Sequence, residues 1–188
     1  MEKNDEDKKV DNMIILYELS TGELCRVYSI CDIPKDCNRI IIKDVEVNSY
    51  LTVIPKCKIL VLSLGYIDMS NIAFECDILK VYNVKCSDFL LSPTSKVVEL
   101  RHLDMRNIID MDYSFASTSL RKICNLDFKN VKTATCVFAN CEFEEIPNIR
   151  NYSHLWLMGL GSNNINQTKL DTWRCLIAIN NNIIRNKQ

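Results

Sequence analysis

An apolar triplet spaced by three recurs along the chain: Ile78, Val81 and Val84; Val97, Leu100 and Leu103; Leu120, Ile123 and Leu126; Phe143, Ile146 and Ile149. Ile59 with Leu62 begins an earlier copy, and Ile40 one before that. The starts at 40, 59, 78, 97, 120 and 143 are separated by 19, 19, 19, 23 and 23 residues. A spacing of three also suits a helix, so periodicity alone does not decide the secondary structure. The segments are short and rich in β-branched residues, as in ILVLSL and KVVEL, and polar turn-like residues follow each. That pattern predicts short strands. One triplet cannot bury itself, whereas stacked copies make a continuous core closed by polar caps.

Two residues before each start stand Asn38, Cys57, Cys76, Ser95, Thr118 and Cys141, all small. Stacked turns need such residues where the chain bends, because bulk there would push neighbouring turns apart. Two residues after each start the column reads Val61, Lys80, Glu99, Lys122 and Glu145. In-register stacking would set Lys80 beside Glu99, Glu99 beside Lys122 and Lys122 beside Glu145. Such pairs stabilise weakly when exposed, so their use is as a marker of register.

The flanks read differently. MIILYELSTGELCRVYSI predicts two strands joined by Ser20-Thr21-Gly22-Glu23, a hairpin cap. Near the other end Leu170, Trp173, Leu176 or Ile177, and Ile183 or Ile184 recur at helical spacing, with Thr168 and Asp171 resembling a capping box. This predicts a closing helix over the last turn, with Leu155-Trp156-Leu157-Met158 as a further strand beneath it. The expected division is a charged, solvated tail over 1–12, a hairpin cap over 13–37, a solenoid over 38–160 and a C-terminal cap over 161–188.

With 188 residues, 47% hydrophobic, 25% charged and a net charge of −1, the chain suits one soluble domain with a substantial core. The charge balance argues against nucleic acid as a partner. No apolar run approaches the roughly 20 residues of a membrane span. MEKNDEDKKVDN has no apolar segment behind it of signal-peptide kind, so reduced thiols and a cytoplasmic location are the expectation. The ten cysteines include no C-x-x-C, and the histidines are only His102 and His154, so common zinc spacings are missing. Gly159-Leu160-Gly161 lacks the further glycine and lysine of nucleotide fingerprints. No metal or cofactor is expected. Abundant Ile, Asn and Lys are what an AT-rich genome produces.

Two stretches repeat at an offset of 23 residues: LDMRNIIDMDYSFAS from Leu103 and LDFKNVKTATCVFAN from Leu126. They share Asp104/Asp127, Asn107/Asn130, Ile108/Val131, Phe115/Phe138 and Ala116/Ala139. A shortened copy, IDMSNIAFECDIL, carries Asp68, Asn71, Ile72, Phe74 and Cys76. Over about residues 57–150 this pattern resembles the BspA-like leucine-rich repeat, L-D-T-S-N-V-T-N-M-S-Y-M-F-x-G-C-S-S-L. The first copy keeps Met111, and the second has Ala134 there. The resemblance implies an α/β leucine-rich-repeat-like solenoid of short parallel strands with an irregular convex side. It also implies a binding role, since members are mostly binding proteins, many on microbial surfaces and others in protozoa and large DNA viruses.

In such a solenoid the exposed strand face would bind. On the assumed register it carries Lys80, Tyr82, Glu99, Arg101, Arg121, Lys122, Glu144 and Glu145. The competing reading is a solvated face that keeps the protein soluble. Asp104 and Asp127 suit backbone hydrogen bonds in the turn after each strand better than paired catalytic carboxylates. His102 reads as structural. Cys124 falls on the exposed face without a base spaced to it, and Trp156 and Trp173 suit cap packing. The sequons at Asn151 and Asn166 matter only on a secretory route. The expected function is a non-enzymatic protein-binding module of a virus or parasite, with a host protein as partner. A surface adhesin, an enzyme on a parallel β-helix and a self-associating structural protein are the alternatives. Oligomeric state is left open.

Overall fold

The computed structural model describes residues 14–35, 37–43, 53–63, 65, 69–70, 72–152, 168, 171–176 and 178–179. β1 (Ile14–Glu18) and β2 (Leu24–Val27) form an antiparallel hairpin. It turns through Gly22, whose φ of 87° lies where a side chain would be strained. β1 also pairs antiparallel with β3 (Arg39–Lys43). From there β4 (Val53–Ser63), β5 (Ala73–Tyr82), β6 (Lys96–Leu103) and β7 (Lys122–Ile123) add in parallel, giving a seven-stranded sheet in the order β2-β1-β3-β4-β5-β6-β7. β8 (Leu126–Asp127) pairs in parallel with β9 (Ile149–Arg150). The result is a mostly-strand β-solenoid of about five turns with one short helix.

The core is a continuous stack. Ile40, Leu60, Leu79, Leu100 and Ile123 lie side by side in register and are all buried. Their separations (60 − 40, 79 − 60, 100 − 79, 123 − 100) are 20, 19, 21 and 23 residues. This corrects the expected starts. Ile59 and Ile78 are half-buried beside one another, and Ile78 faces Glu99, while Val97 faces Cys76. The triplet as read is buried throughout at Val97–Leu100–Leu103 and Leu120–Ile123–Leu126.

The reason lies in how many residues the outer face takes between core residues. In β5 one outward residue, Lys80, separates buried Leu79 from Val81. In β6 two, Arg101 and His102, separate buried Leu100 from Leu103. The extra residue shifts the register between Leu79 and Lys80, so Lys80 faces His102. A residue inserted on one strand of a ladder leaves a bulge of this kind.

The small-residue column is buried at Cys57, Cys76, Ser95, Thr118 and Cys141. Cys57 and Cys76 are register partners, and buried Cys37 rather than Asn38 adjoins them, its Sγ 3.9 Å from the Lys56 carbonyl oxygen. Ser95 Oγ donates to the Ile72 carbonyl at 3.0 Å, and Thr118 Oγ1 to that of Phe115 at 2.7 Å.

The connecting side is held turn to turn. The N–H groups of Met111, Tyr113, Phe115 and Ser117 donate to the carbonyls of Thr133, Thr135, Val137 and Ala139 at 2.7–3.0 Å. Left-handed backbone recurs at Tyr113 and Cys136 (φ 57° and 51°) and at Ser117 and Asn140 (φ 58° and 56°). Beneath this ladder Phe89, Phe115, Phe138 and Phe143 form a buried aromatic column with centroids 5.5–5.9 Å apart. Asp104 and Asp127 behave as expected, each Oδ1 accepting the N–H two residues on, from Arg106 at 3.2 Å and Lys129 at 3.1 Å.

At the C-terminal end residues 171–176 are helical. Trp173 packs against the core, but Leu176 and Ile179 are 52% and 57% exposed, so only part of the expected stripe turns inward. The Asp171 carboxylate lies 3.6 Å from Arg174. The tail over 1–12, Asp68, Asn71, His154, Leu155 to Met158, Leu170, Ile177, Ile183 and Ile184 lie outside the described residues.

Candidate binding face of the sheet

Strand geometry sends alternate side chains to opposite faces. The face turned away from the core divides into a polar half on β5–β7 and an aliphatic half on β1 and β3–β5.

In the polar half, Lys80 and Glu99 are half-buried, while Tyr82, Arg101, Arg121, Lys122, Glu144 and Glu145 are exposed. The expected charge ladder is corrected. Glu99 accepts both Nε and Nη2 of Arg101, at 3.0 and 2.7 Å, on its own strand rather than pairing with Lys80. Arg101 is the inserted residue of β6, so the insertion that shifts the register also supplies the closer partner. Glu99 does face Lys122 across the ladder. Lys122 Nζ reaches Glu144 at 3.9 Å, not Glu145, and Arg121 reaches Glu144 at 3.6 Å.

Arg101 holds the Glu99 carboxyl below the ordinary carboxylate range. Burial opposes this, and Lys122 and Lys80 add to it. His102, read as a structural residue, stands on this face with its ring stacked on Tyr82, centroids 4.3 Å apart and planes 23° from parallel. Burial and the Glu99 carboxylate push the half-buried Cys124 thiol up, which disfavours the thiolate a reactive cysteine needs.

The spacing of apolar residues by three does not reveal the aliphatic half. Leu16, Ile41 and Val61 are register neighbours in one cross-strand row that runs on to Lys80. Ile59 and Ile78 are neighbours in the next row, between Arg39 and Glu99. All five are half-buried and stand apart from the core cluster. The signal was present in RIIIK and KILVLS, where inward and outward positions are both apolar. Strands that read as unbroken apolar runs are those whose sheet is covered on both faces. Glu18 and Arg39 close one side of the patch as an ion pair at 3.0 Å.

No group of three or more His, Cys, Asp or Glu side chains suited to a metal occurs among the described residues. No described helix is long and apolar enough to cross a membrane. No disulfide joins any of the ten cysteines. No family model, curated protein or solved structure matches the chain.

Proposed function

We propose that the protein is a non-catalytic interaction module that engages another protein through the outward strand face. The observation that carries this reading is the patch of five aliphatic side chains, set against a charged and aromatic field on one continuous sheet. Solenoids offer extended surfaces of this kind, and a bordered apolar patch on a protein surface commonly marks a contact site. Membership of the BspA-like leucine-rich repeats draws support from the matched Asp, Asn and Phe positions of the two full copies. The antiparallel hairpin at one end of the sheet and the packing of Trp173 against the core fit the role of caps. We carry into this reading the cytoplasmic setting expected from the sequence, and the viral or parasite origin and host partner that the BspA-like resemblance suggests.

Affinity capture from cell extract tests this, comparing wild type with a Lys80→Glu, Arg101→Glu, Arg121→Glu variant whose folding is verified by circular dichroism. Loss of the captured proteins on reversal supports the strand face. An unchanged set overturns it.

A further inference from the structure

The aliphatic row on the outer face is bracketed by cations. Arg26 on β2 is the register partner of Leu16, and Lys80 on β5 is the partner of Val61. The row therefore reads Arg26, Leu16, Ile41, Val61, Lys80 across five neighbouring strands. Of the neighbouring charges, Glu18 pairs with Arg39 and Glu99 with Arg101, Lys80 adding only a weaker through-space pull on Glu99. Arg26 lies over the Tyr28 ring at 5.4 Å, a contact that leaves its charge in place. Among the described residues no carboxylate is ion-paired with Arg26 or Lys80.

Strands stand about 4.8 Å apart, so the four steps from Arg26 to Lys80 span roughly 19 Å. A helix laid across the strands repeats its stripe about every 5.4 Å. An extended segment repeats its same-face residues about every 6.7 Å. Over the two steps from Leu16 to Val61 the mismatch is about 1 Å for the helix and about 4 Å for the extended chain. The helix fits three successive layers and the strand does not.

We infer that this face takes an amphipathic helix of a partner protein lying across the strands. Its aliphatic stripe seats on Leu16, Ile41 and Val61, and carboxylates near its two ends reach Arg26 and Lys80. This rests on the strand-face reading above and names the chemistry of the partner.

The test uses the full chain and three synthetic peptides of about 14 residues, the length a helix needs to cover roughly 19 Å. One is a stapled helix with Leu at i, i+4 and i+7 and Glu at both ends. The second carries Lys in place of the terminal Glu. The third keeps the acidic composition but is broken by prolines. Fluorescence anisotropy should show the acidic helix binding at least tenfold more tightly than either control. Lys80→Glu should shift preference toward the Lys-ended helix, and Val61→Asp should abolish binding. Val61→Thr is a milder second variant and should weaken binding several-fold with the fold intact. Equal binding of acidic and basic helices, equal binding of the proline peptide, or no binding of any peptide would overturn the inference. If no peptide binds while the triple reversal still loses its captured proteins, the strand-face reading stands and the helix inference alone fails.

Discussion

Asn107 and Asn130 do the same work one coil apart. Nδ2 of Asn107 donates to the Val84 carbonyl at 2.8 Å, and Nδ2 of Asn130 to the Arg106 carbonyl at 2.9 Å. Each ties the turn after a strand to the backbone of the coil before it. A net hydrogen bond contributes about 1 kcal/mol, so Asn107→Ala should cost about that much, and Asn130→Ala somewhat less because its bond is exposed to water. Asn→Asp at either position should be worse than alanine, since a carboxylate would then face a carbonyl. Urea unfolding measures both, and an aspartate variant as stable as the alanine one would refute the hydrogen-bond role.

The aromatic column sets a larger scale. Phe115 is fully buried between Phe89 and Phe138, with its ring nearly parallel to that of Phe138. Phe115→Ala should cost about 3–5 kcal/mol by the usual transfer and cavity terms. The tryptophan fluorescence unfolding midpoint would report it. A loss below about 1 kcal/mol would mean that the coils do not share this column.

Backbone conformation gives a prediction of opposite sign. Ser117 and Asn140 both sit at positive φ, a region that favours glycine. A left-handed conformation costs a residue with a Cβ about 1–2 kcal/mol, offset in part by glycine's entropy. Ser117→Gly should therefore stabilise by roughly 0.5–1 kcal/mol, and Asn140→Gly by less, because asparagine tolerates the region better. Ser117→Val should destabilise. Thermal melts of the three variants decide the ordering, and a destabilising Ser117→Gly would contradict it.

Acid should act through Asp104. The Arg106 guanidinium, at 2.8 and 2.7 Å, holds this carboxyl below its ordinary range near 3.8, with burial opposing and the Arg106 N–H assisting. A folded-state value lower than the unfolded one means stability is present in full above the ordinary value. It declines below that value and is gone once pH passes the lower folded one. Asp104→Asn should thus be less stable than wild type at neutral pH, with the gap closing below about 4. Denaturant midpoints at neutral pH and near pH 3 would show this, and a gap independent of pH would rule it out.

The thiols should divide by burial. Desolvation pushes Cys57 up to about 12, assisted by neighbouring Cys37, and raises Cys76 and Cys141 as well. Cys31 and Cys175 are exposed. Alkylation near pH 8 followed by mass spectrometry should label those two first, and should reach Cys57, Cys76 and Cys141 only on unfolding. Early labelling of Cys57 or Cys76 in the native protein would contradict the stacked arrangement.

Much of the coil was legible because its determinants are local. Asp104, Asn107 and Phe115 recur at one offset as Asp127, Asn130 and Phe138, and each makes the contact its chemistry suggests. The small residues at the bends were legible for the same reason, apart from Cys37 standing where Asn38 was expected. Register between coils was not. It depends on whether one or two residues fill the outer face between core positions, and in ILVL every candidate is apolar. Ile59 and Leu60 cannot be sorted by hydrophobicity when one faces the core and the other a surface patch. The ion pairs failed with the register: once Arg101 is inserted, Glu99 has a nearer partner than Lys80.

The unequal coil lengths carry a consequence for folding. A stack of identical repeats has translational symmetry, so a coil can dock on the wrong neighbour at little energetic cost, and such misassembly is a known hazard of repeat proteins. Here the first steps, of 20, 19 and 21 residues, break that symmetry before the coils settle at 23. A coil docked one place out would meet a ladder with the wrong number of rungs, and a one-residue slip turns core side chains toward water. The irregularity that obscured the register in the sequence keys each of the earlier coils to one lock.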